Sequence, residues 1–179
     1  ISALTMDLSV SIGSLRLPNP LIAASGCFGY GVEYSDIVDL STLGGVAVKG
    51  LFLAERQGHP PPRIVETPSG MLNAISLENV GVEAFIRDKL PALPEGVTVI
   101  ASVFETEIER YAEVCKRLTG VPRVMGIEVN ASCPHVKSGG IEFGQQPQVL
   151  AELVRATRRA TSLPLLVKLS PNVTDIAAM

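Results

Sequence analysis

A parallel α/β architecture is predicted by three features of this 179-residue sequence. Short apolar segments alternate with longer segments of helical period, the pattern of parallel strands joined by right-handed crossovers. The strand segments are apolar along their length, so both faces of the sheet are expected to be covered. Polar, chemistry-bearing residues gather where the strands end, which is where such sheets carry their sites. Five strand–helix units fit either an open doubly wound sheet or part of a (β/α)8 barrel. A complete barrel needs ~250 residues, so on the second reading the chain is expected to be one part of it.

The elements follow in order. Met6 to Ile12 and Ser14 to Leu17 alternate apolar and polar residues around Gly13, which predicts a β-hairpin. Asn19-Pro20 breaks the chain before the first parallel strand. Strands are predicted over Leu21–Ala24, Gly45–Val48, Val97–Val103, Val124–Val129 and Leu163–Leu169. Helices are predicted over Glu33–Asp39, Val82–Lys89, Glu105–Leu118 and Pro147–Thr161, with a further one beginning near Asp175. Within Glu105–Leu118, the residues Ile108, Tyr111, Ala112, Cys115 and Leu118 share one face at i, i+3, i+4 spacing. Pro147 suits a first helical turn, and Thr106 suits an N-cap region. Between the second and third strands lies an insertion, Leu51 to Gly81. It holds Pro60-Pro61-Pro62 and then two strand-like runs from Arg63 to Ser76, which predict a polyproline segment and a second hairpin. Residues 1–179 are read as one domain in which the 51–81 insertion is a lid or substrate hairpin.

Composition excludes several classes. Hydrophobic residues make up 46% and charged residues 18%, which is the balance of a globular chain. A net charge of −3 and the absence of tryptophan argue against nucleic acid as a partner. No apolar run reaches ~18 residues, so no membrane span is expected. No basic segment precedes an apolar one at the start, so no signal peptide is expected. Cys27, Cys115 and Cys133 have the spacing of neither a zinc site nor a disulfide framework, and a reducing cytoplasm is the expected home. His59 and His135 stand alone without ligand spacing, so no metal is expected.

The strand exits carry the candidate chemistry. The first strand exits into Ser25-Gly26 and the second into Lys49-Gly50. The third carries Ser102, the fourth leads into Asn130 and then Cys133, and the fifth carries Lys168, followed by Ser170 and Asn172. In a parallel barrel these ends converge on one mouth. One lysine at a strand end often only snorkels to water. Two at equivalent places favour a shared anionic ligand. Cys115 falls on the apolar face of a helix and is read as core, and Cys27 in its glycine-rich turn is read as structural. Cys133 is followed by Pro134 and a loop bearing Gly139-Gly140, a setting in which a thiol acts as a base or nucleophile. Gly26, Gly29 and Gly31 make no dinucleotide fingerprint, because no helix opens directly at them.

Taken together, five segments give a resemblance. They are Ala24-Ser25-Gly26-Cys27-Phe28-Gly29, Val48-Lys49-Gly50, Pro62-Arg63-Ile64-Val65-Glu66-Thr67-Pro68-Ser69-Gly70-Met71-Leu72-Asn73-Ala74-Ile75, Asn130-Ala131-Ser132-Cys133-Pro134 and Val167-Lys168-Leu169-Ser170-Pro171-Asn172. In order and spacing the chain resembles the dihydroorotate dehydrogenase family, most of all the class 1B catalytic subunit. The resemblance implies a (β/α)8 barrel, of which this chain supplies the N-terminal hairpin and about the first five units, with FMN at the top. It implies that Cys133 removes the C5 proton of dihydroorotate while hydride passes from C6 to the flavin. Lys49 would bridge flavin and substrate, and Lys168 would stand at the flavin's pyrimidine edge. Asn73 and Asn130 would bond the substrate ring or carboxylate, with backbone donors from Ile75, Ser76 and Leu77 and a further contact from His135. Ser25, Gly26, Lys49, Gly50, Ser102, Asn130 and Lys168 would line the FMN.

The same resemblance implies oxidation of dihydroorotate to orotate in pyrimidine biosynthesis, with NAD+ as final acceptor. It implies a homodimer, or a heterotetramer with an electron-transfer subunit that carries FAD and a 2Fe–2S cluster. It places the FMN phosphate site after later strands, so the chain is expected to be incomplete. Alternatives are a class 1A enzyme using fumarate, a tRNA dihydrouridine synthase, whose RNA contacts would demand a basic surface, and a non-catalytic half-barrel. The chain departs from the family pattern at Cys27, Ser76, Ser102 and His135, where threonine, glycine, asparagine and asparagine are usual. Because His135 is titratable, orotate affinity is expected to vary between about pH 5.5 and 8, and an orotate titration across that range checks it.

Overall fold

The structure, a computed structural model, describes residues 6–132 and 143–179. It opens with an antiparallel hairpin, β1 (Val10–Ile12) and β2 (Leu15–Leu17). The turn is made at Gly13, whose φ of 58° suits a residue without Cβ. Two parallel strands follow, β3 (Ile22–Ala23) and β4 (Gly45–Ala47). The insertion then forms the second hairpin, β5 (Ile64–Thr67) and β6 (Gly70–Asn73). Residues 82–92 are helical throughout, as α1 (Val82–Ala84), a π-turn over Phe85–Lys89, and α2 (Leu90–Ala92). Pro91 has no N–H for the carbonyl four residues back, which accounts for the widened turn. The remaining elements are β7 (Val99–Val103), α3 (Ile108–Leu118), β8 (Val124–Asn130), α4 (Pro147–Ala160) and β9 (Leu165–Lys168).

The central sheet has five parallel strands in the order β3-β4-β7-β8-β9. Each strand lies beside its predecessor in this sheet. A doubly wound sheet must reverse its order at a switch point, so the order selects the barrel alternative, and the chain forms a half-barrel. Alternate residues of each strand feed two separate cores. Val46, Val48, Val99, Ala101, Val103, Ile127 and Val129 face outward and pack with Phe85, Tyr111, Cys115, Leu118, Leu150 and Leu153 from the helical layer. Ala47 and Ile100 face inward, with Ile22 and Leu166, and meet Leu15 and Leu17 of the first hairpin. The hairpin predicted from the alternation therefore forms, and it plugs one end of the curled sheet.

One irregularity sets what lies above that plug. Val99 pairs with Val124, but Ile100 pairs with Gly126, so Met125 is an extra residue in β8 and half exposed. A one-residue slip turns every later side chain to the other face. After it, Ile127 and Val129 point outward into the helical core, and Gly126, Glu128 and Asn130 belong to the inner face. Val124–Val129 is thus not uniformly apolar. Its one carboxylate is turned inside the half-barrel.

Three helical expectations are corrected. Over 33–39 there is only a 3-10 turn, Val32–Tyr34, because glycines at positive φ (Gly29 at 53°, Gly31 at 91°) precede it and the apolar Ile37 is left in solvent. Near Asp175 the described residues make a turn rather than a helical start, in which the carboxylate accepts from the N–H groups of Ala177 and Ala178, at 2.9 and 3.2 Å. Helix α3 begins after Glu107 rather than at Thr106. The preceding Glu105 is buried and spends its carboxylate on the Leu53 N–H at 2.7 Å and the Arg110 guanidinium at 2.9 Å. It ties the start of the insertion to the sheet. Pro147 does open α4. Among the described residues no helix is long and apolar enough to cross a membrane.

Cys115 is completely buried, and desolvation pushes its thiol up to about 12. Ionising it in place is harder than ionising it in the unfolded chain. The stability this contributes is fully present below about pH 9 and is lost as pH rises from there toward about 12. Cys27 is exposed, so its assignment as a structural residue gives way to that of a surface thiol. We expect a thiol reagent at pH 8 to label Cys27 in the native protein and to reach Cys115 only in denaturant. Peptide mapping by mass spectrometry checks this.

Candidate functional site

A cavity of 110 Å³ opens where β4, β7 and β8 end against the insertion. Lys49, Gly50, Ser76, Leu77 and Asn130 line it, together with Asn79 and the rings of Phe52 and Phe104. The segment after β4 is held by the Lys49 N–H, which donates to the Gly29 carbonyl at 2.7 Å. Gly50 runs close under Phe104, and a Cβ there would stand 3.3 Å from the Phe104 Cβ. Lys49 also borders a larger cleft of 380 Å³, shared with Glu78, Asn79 and Tyr30. Burial holds the Tyr30 phenol above its ordinary value, and its oxygen accepts from the Val80 N–H at 3.2 Å.

Asn79 fastens this wall. Its Nδ2 donates to the Gly50 carbonyl. Its Oδ1 accepts from the N–H groups of Phe52 (3.3 Å) and Gly81 (2.9 Å). Its backbone exchanges two 2.8 Å bonds with Arg56. One buried amide therefore closes the insertion back onto the strand exit, so that residues from both ends of a long excursion face one cavity. Sequence reasoning passed over Asn79. Its only sequence signal is a polar residue directly before the apolar start of a helix. Ser76, within the same wall, has φ 69°, a left-handed conformation that costs a non-glycine residue about 1–2 kcal/mol.

On the other side of the cavity, Asn130 ends β8. Its carbonyl accepts from the buried Tyr111 hydroxyl at 2.8 Å. Its Oδ1 accepts from the Ser132 N–H and hydroxyl at 3.2 and 3.1 Å. The Nδ2 hydrogens are then the groups it has to offer a ligand. Asn130 pairs in register with Lys168 on β9. Lys168 Nζ donates to Ser25 Oγ at 3.1 Å, Ser25 Oγ donates to Glu128 Oε1 at 2.6 Å, and Ser102 Oγ donates to the same oxygen at 2.7 Å. Ser25 and Ser102 are buried. The predicted residues therefore fall into two adjoining groups, one around the cavity and one around Glu128. Glu128 is the member that sequence reasoning missed, although an acidic residue inside an otherwise apolar strand marks it.

The other predicted positions stand as follows. Gly26, at φ 88°, has open space where a Cβ would be. Asn73 lies exposed on β6, opposite Ile64, and does not line the cavity. The Ile75 carbonyl accepts from the His59 N–H at 3.1 Å, which leaves that residue facing the hairpin stem. Cys133 and His135 lie outside the described residues. Among the described residues no group of three His, Cys, Asp or Glu side chains is placed to hold a metal ion.

Comparison with known proteins shows the family by sequence and the fold by structure. The family model described as Dihydroorotate dehydrogenase matches residues 7–179. Proteins named dihydroorotate dehydrogenase B (NAD(+)), catalytic subunit, are similar along the chain. The one from Geotalea daltonii is 53% identical over 174 residues, covering 97% of this chain and 57% of the relative. The one from Trichlorobacter lovleyi is 55% identical over 173 residues, covering 96% and 57%. The crystal structure of DHODH in complex with ferulenol from Eimeria tenella superposes with a TM-score of 0.71 at 20% identity, covering 94% of this chain and 53% of that one. At that identity the likeness shows the fold alone. The chain thus spans little more than half the length of the curated relatives it matches.

Replacing Asn79 by alanine strands two buried N–H groups and releases Gly50. We expect Asn79→Ala to lose about 2–3 kcal/mol of stability, read as a lower urea midpoint with an unchanged slope.

Proposed function

The chain belongs to the dihydroorotate dehydrogenase family, and from that premise we propose that the protein oxidises (S)-dihydroorotate to orotate in pyrimidine (UMP) biosynthesis, using FMN and, as final acceptor, NAD+. The observation that carries the proposal is the meeting of Lys49, Gly50, Ser76, Leu77 and Asn130 around one cavity, with Lys168 one strand further on. The named relatives, all catalytic B subunits for NAD(+), support the choice of acceptor and of a partner subunit. In this proposal the partner carries FAD and a 2Fe–2S cluster, the catalytic subunits pair as a homodimer, and the assembly is a cytoplasmic heterotetramer. Exposed Cys27 and buried Cys115, both unpaired thiols, suit a reducing compartment.

The strand exits fit an FMN ring. They present the Lys168 ammonium, two buried serine oxygens whose protons go to Glu128, and the open backbone at Gly26. That set suits a planar heterocycle that becomes more negative on reduction. Ser25, Gly26, Gly50, Ser102, Asn130, Lys49 and Lys168 would hold it. When bound, FMN would accept the hydride that leaves C6 of the substrate.

The chain's own residues bind and deprotonate the substrate. Lys49 offers a cation to the dihydroorotate carboxylate. Asn130, its Oδ1 occupied by Ser132, turns amide hydrogens toward the substrate's carbonyls. Ser76, Leu77 and the neighbouring Ile75 supply backbone groups, while Asn73, on the hairpin outside the cavity lining, and His135 are assigned to the substrate by the family pattern. Cys133, directly after Ser132, is the base. Its sulfur takes the C5 proton, the C5–H electron pair becomes the new C5=C6 bond, and hydride departs from C6. The thiolate does this work because a thiol ionises far more readily than a hydroxyl.

Two measurements test the proposal. The full-length protein should purify with flavin absorbance and, with its partner subunit, reduce NAD+ on addition of dihydroorotate. Cys133→Ser should keep its flavin while flavin reduction by dihydroorotate at neutral pH slows about 10²–10⁴-fold, the usual weight of a positioned base. Unchanged stopped-flow reduction in that variant would remove Cys133 from the mechanism.

A further inference from the structure

Glu128 stands at the centre of a chain of hydrogen bonds whose direction is settled by chemistry. A lysine ammonium can only donate, an ionised carboxylate can only accept, and a serine hydroxyl has one proton to give. The order is therefore Lys168 to Ser25 to Glu128, with Ser102 donating to the same Glu128 oxygen. Because Ser25 has committed its proton to Glu128, it presents lone pairs to Lys168. Because Ser102 also donates to Oε1, that oxygen is fixed from two sides by buried groups. The four residues come from the exit of β3 and from the adjacent strands β7, β8 and β9, so the carboxylate reaches across the inside of the curled sheet, past β4, to join its first strand to its last three. It is turned to that side through the extra residue at Met125. Were the same sequence paired without that bulge, Ser102 would lie opposite Ile127, and the carboxylate would fall in the outer apolar core.

Strand alignment alone does not need a charge. A neutral amide could accept the same two serine protons. What a carboxylate adds is a negative charge, half-buried on the inner face of the sheet, where screening is weaker than in bulk water. It sits one hydroxyl away from the cation at the mouth. We propose that Glu128 is a positioning residue: it orients Ser25 as the acceptor that holds Lys168, and it tunes the field felt by a flavin at the strand exits. This second part rests on the FMN reading above. With the carboxylate in place, part of the Lys168 charge is offset, and reduction of the bound ring to a more negative form is held back. With it removed, Lys168 acts on the ring undiminished.

The test uses the full-length protein and three variants, Glu128→Gln, Glu128→Ala and Ser25→Ala. Glu128→Gln keeps an oxygen for both serines, so its thermal midpoint should stay near that of the parent while the midpoint potential of its bound flavin shifts positive. A purely structural Glu128 would leave that potential unmoved, and an unmoved potential in a folded Glu128→Gln protein overturns the tuning. The hold on Lys168 is read without flavin, by competitive acetylation and mass spectrometry in flavin-free protein, with Lys116 on α3 as internal reference. Glu128→Ala and Ser25→Ala should each raise the relative acetylation of Lys168 severalfold, and equal rates in both overturn the positioning. A parent protein that binds no flavin, with Lys168 still released in these variants, sinks the FMN reading and leaves the hold on Lys168 standing. A flavin-bearing parent with neither effect sinks the role of Glu128 alone.

Discussion

A parallel sheet that curls into a barrel must fill its own inside, and in this chain the filling comes in two levels of opposite character. The lower level is apolar: Ala47, Ile100, Ile22 and Leu166 receive Leu15 and Leu17 from the first hairpin. Roughly 2 kcal/mol per fully buried leucine makes that plug the anchor of the inner face. The level above is polar, and it is so because β8 carries one residue more than β7 needs. The plug and the extra residue meet physically, since Leu15 lies against Gly126, where a Cβ would stand 3.5 Å from the leucine methyl. Directly beyond that contact the inner side chains change from hydrocarbon to carboxylate, hydroxyl and ammonium.

The outer face imposes the complementary demand. Ile127 and Val129 are fully buried against the helices, so β8 cannot turn its polar residues that way. The site is thus what remains when the apolar residues of β8 have been placed. On the opposite wall the long insertion would be a liability if its ends were loose. Glu105 fastens one end through the Leu53 N–H, and Asn79 the other through three backbone groups. Two buried polar side chains convert a 31-residue excursion, 51–81, into a wall of fixed geometry, in keeping with the rule that buried polar groups are satisfied and specify position.

Much of this was legible in the residues. Period and alternation found the five parallel strands, both hairpins and the long helices α3 and α4, because each is a strong repeat of burial along the chain. The short elements were harder. At 33–39 the apolar spacing suggested a helix, but positive-φ glycines and an exposed Ile37 show that local turn chemistry prevailed. The exits of the strands were found because charge and amide groups there interrupt apolar runs. Glu128 was overlooked because its position looked like one more residue of a buried strand. Only the pairing of β8 with β7 reveals which face it takes, and register is a property of two segments that neither one contains. Asn79 was invisible for a similar reason: its partners are 2 to 29 residues away along the chain.

The two stems that border residues 133–142 are secured by separate means. Tyr111 binds the Asn130 carbonyl through its hydroxyl and meets Phe143 edge-on, with ring centres 5.6 Å apart. Gly144 passes so near the Ala131 carbonyl, 2.5 Å from where a Cβ would be, that any other residue would force the stems apart. With both ends fastened in this way, the two stems keep their separation through contacts of their own, and the same Tyr111 hydroxyl that holds one of them also fixes the carbonyl of Asn130 beside the cavity. A helix packed on the outer face of the sheet thereby sets the position of an amide on its inner face.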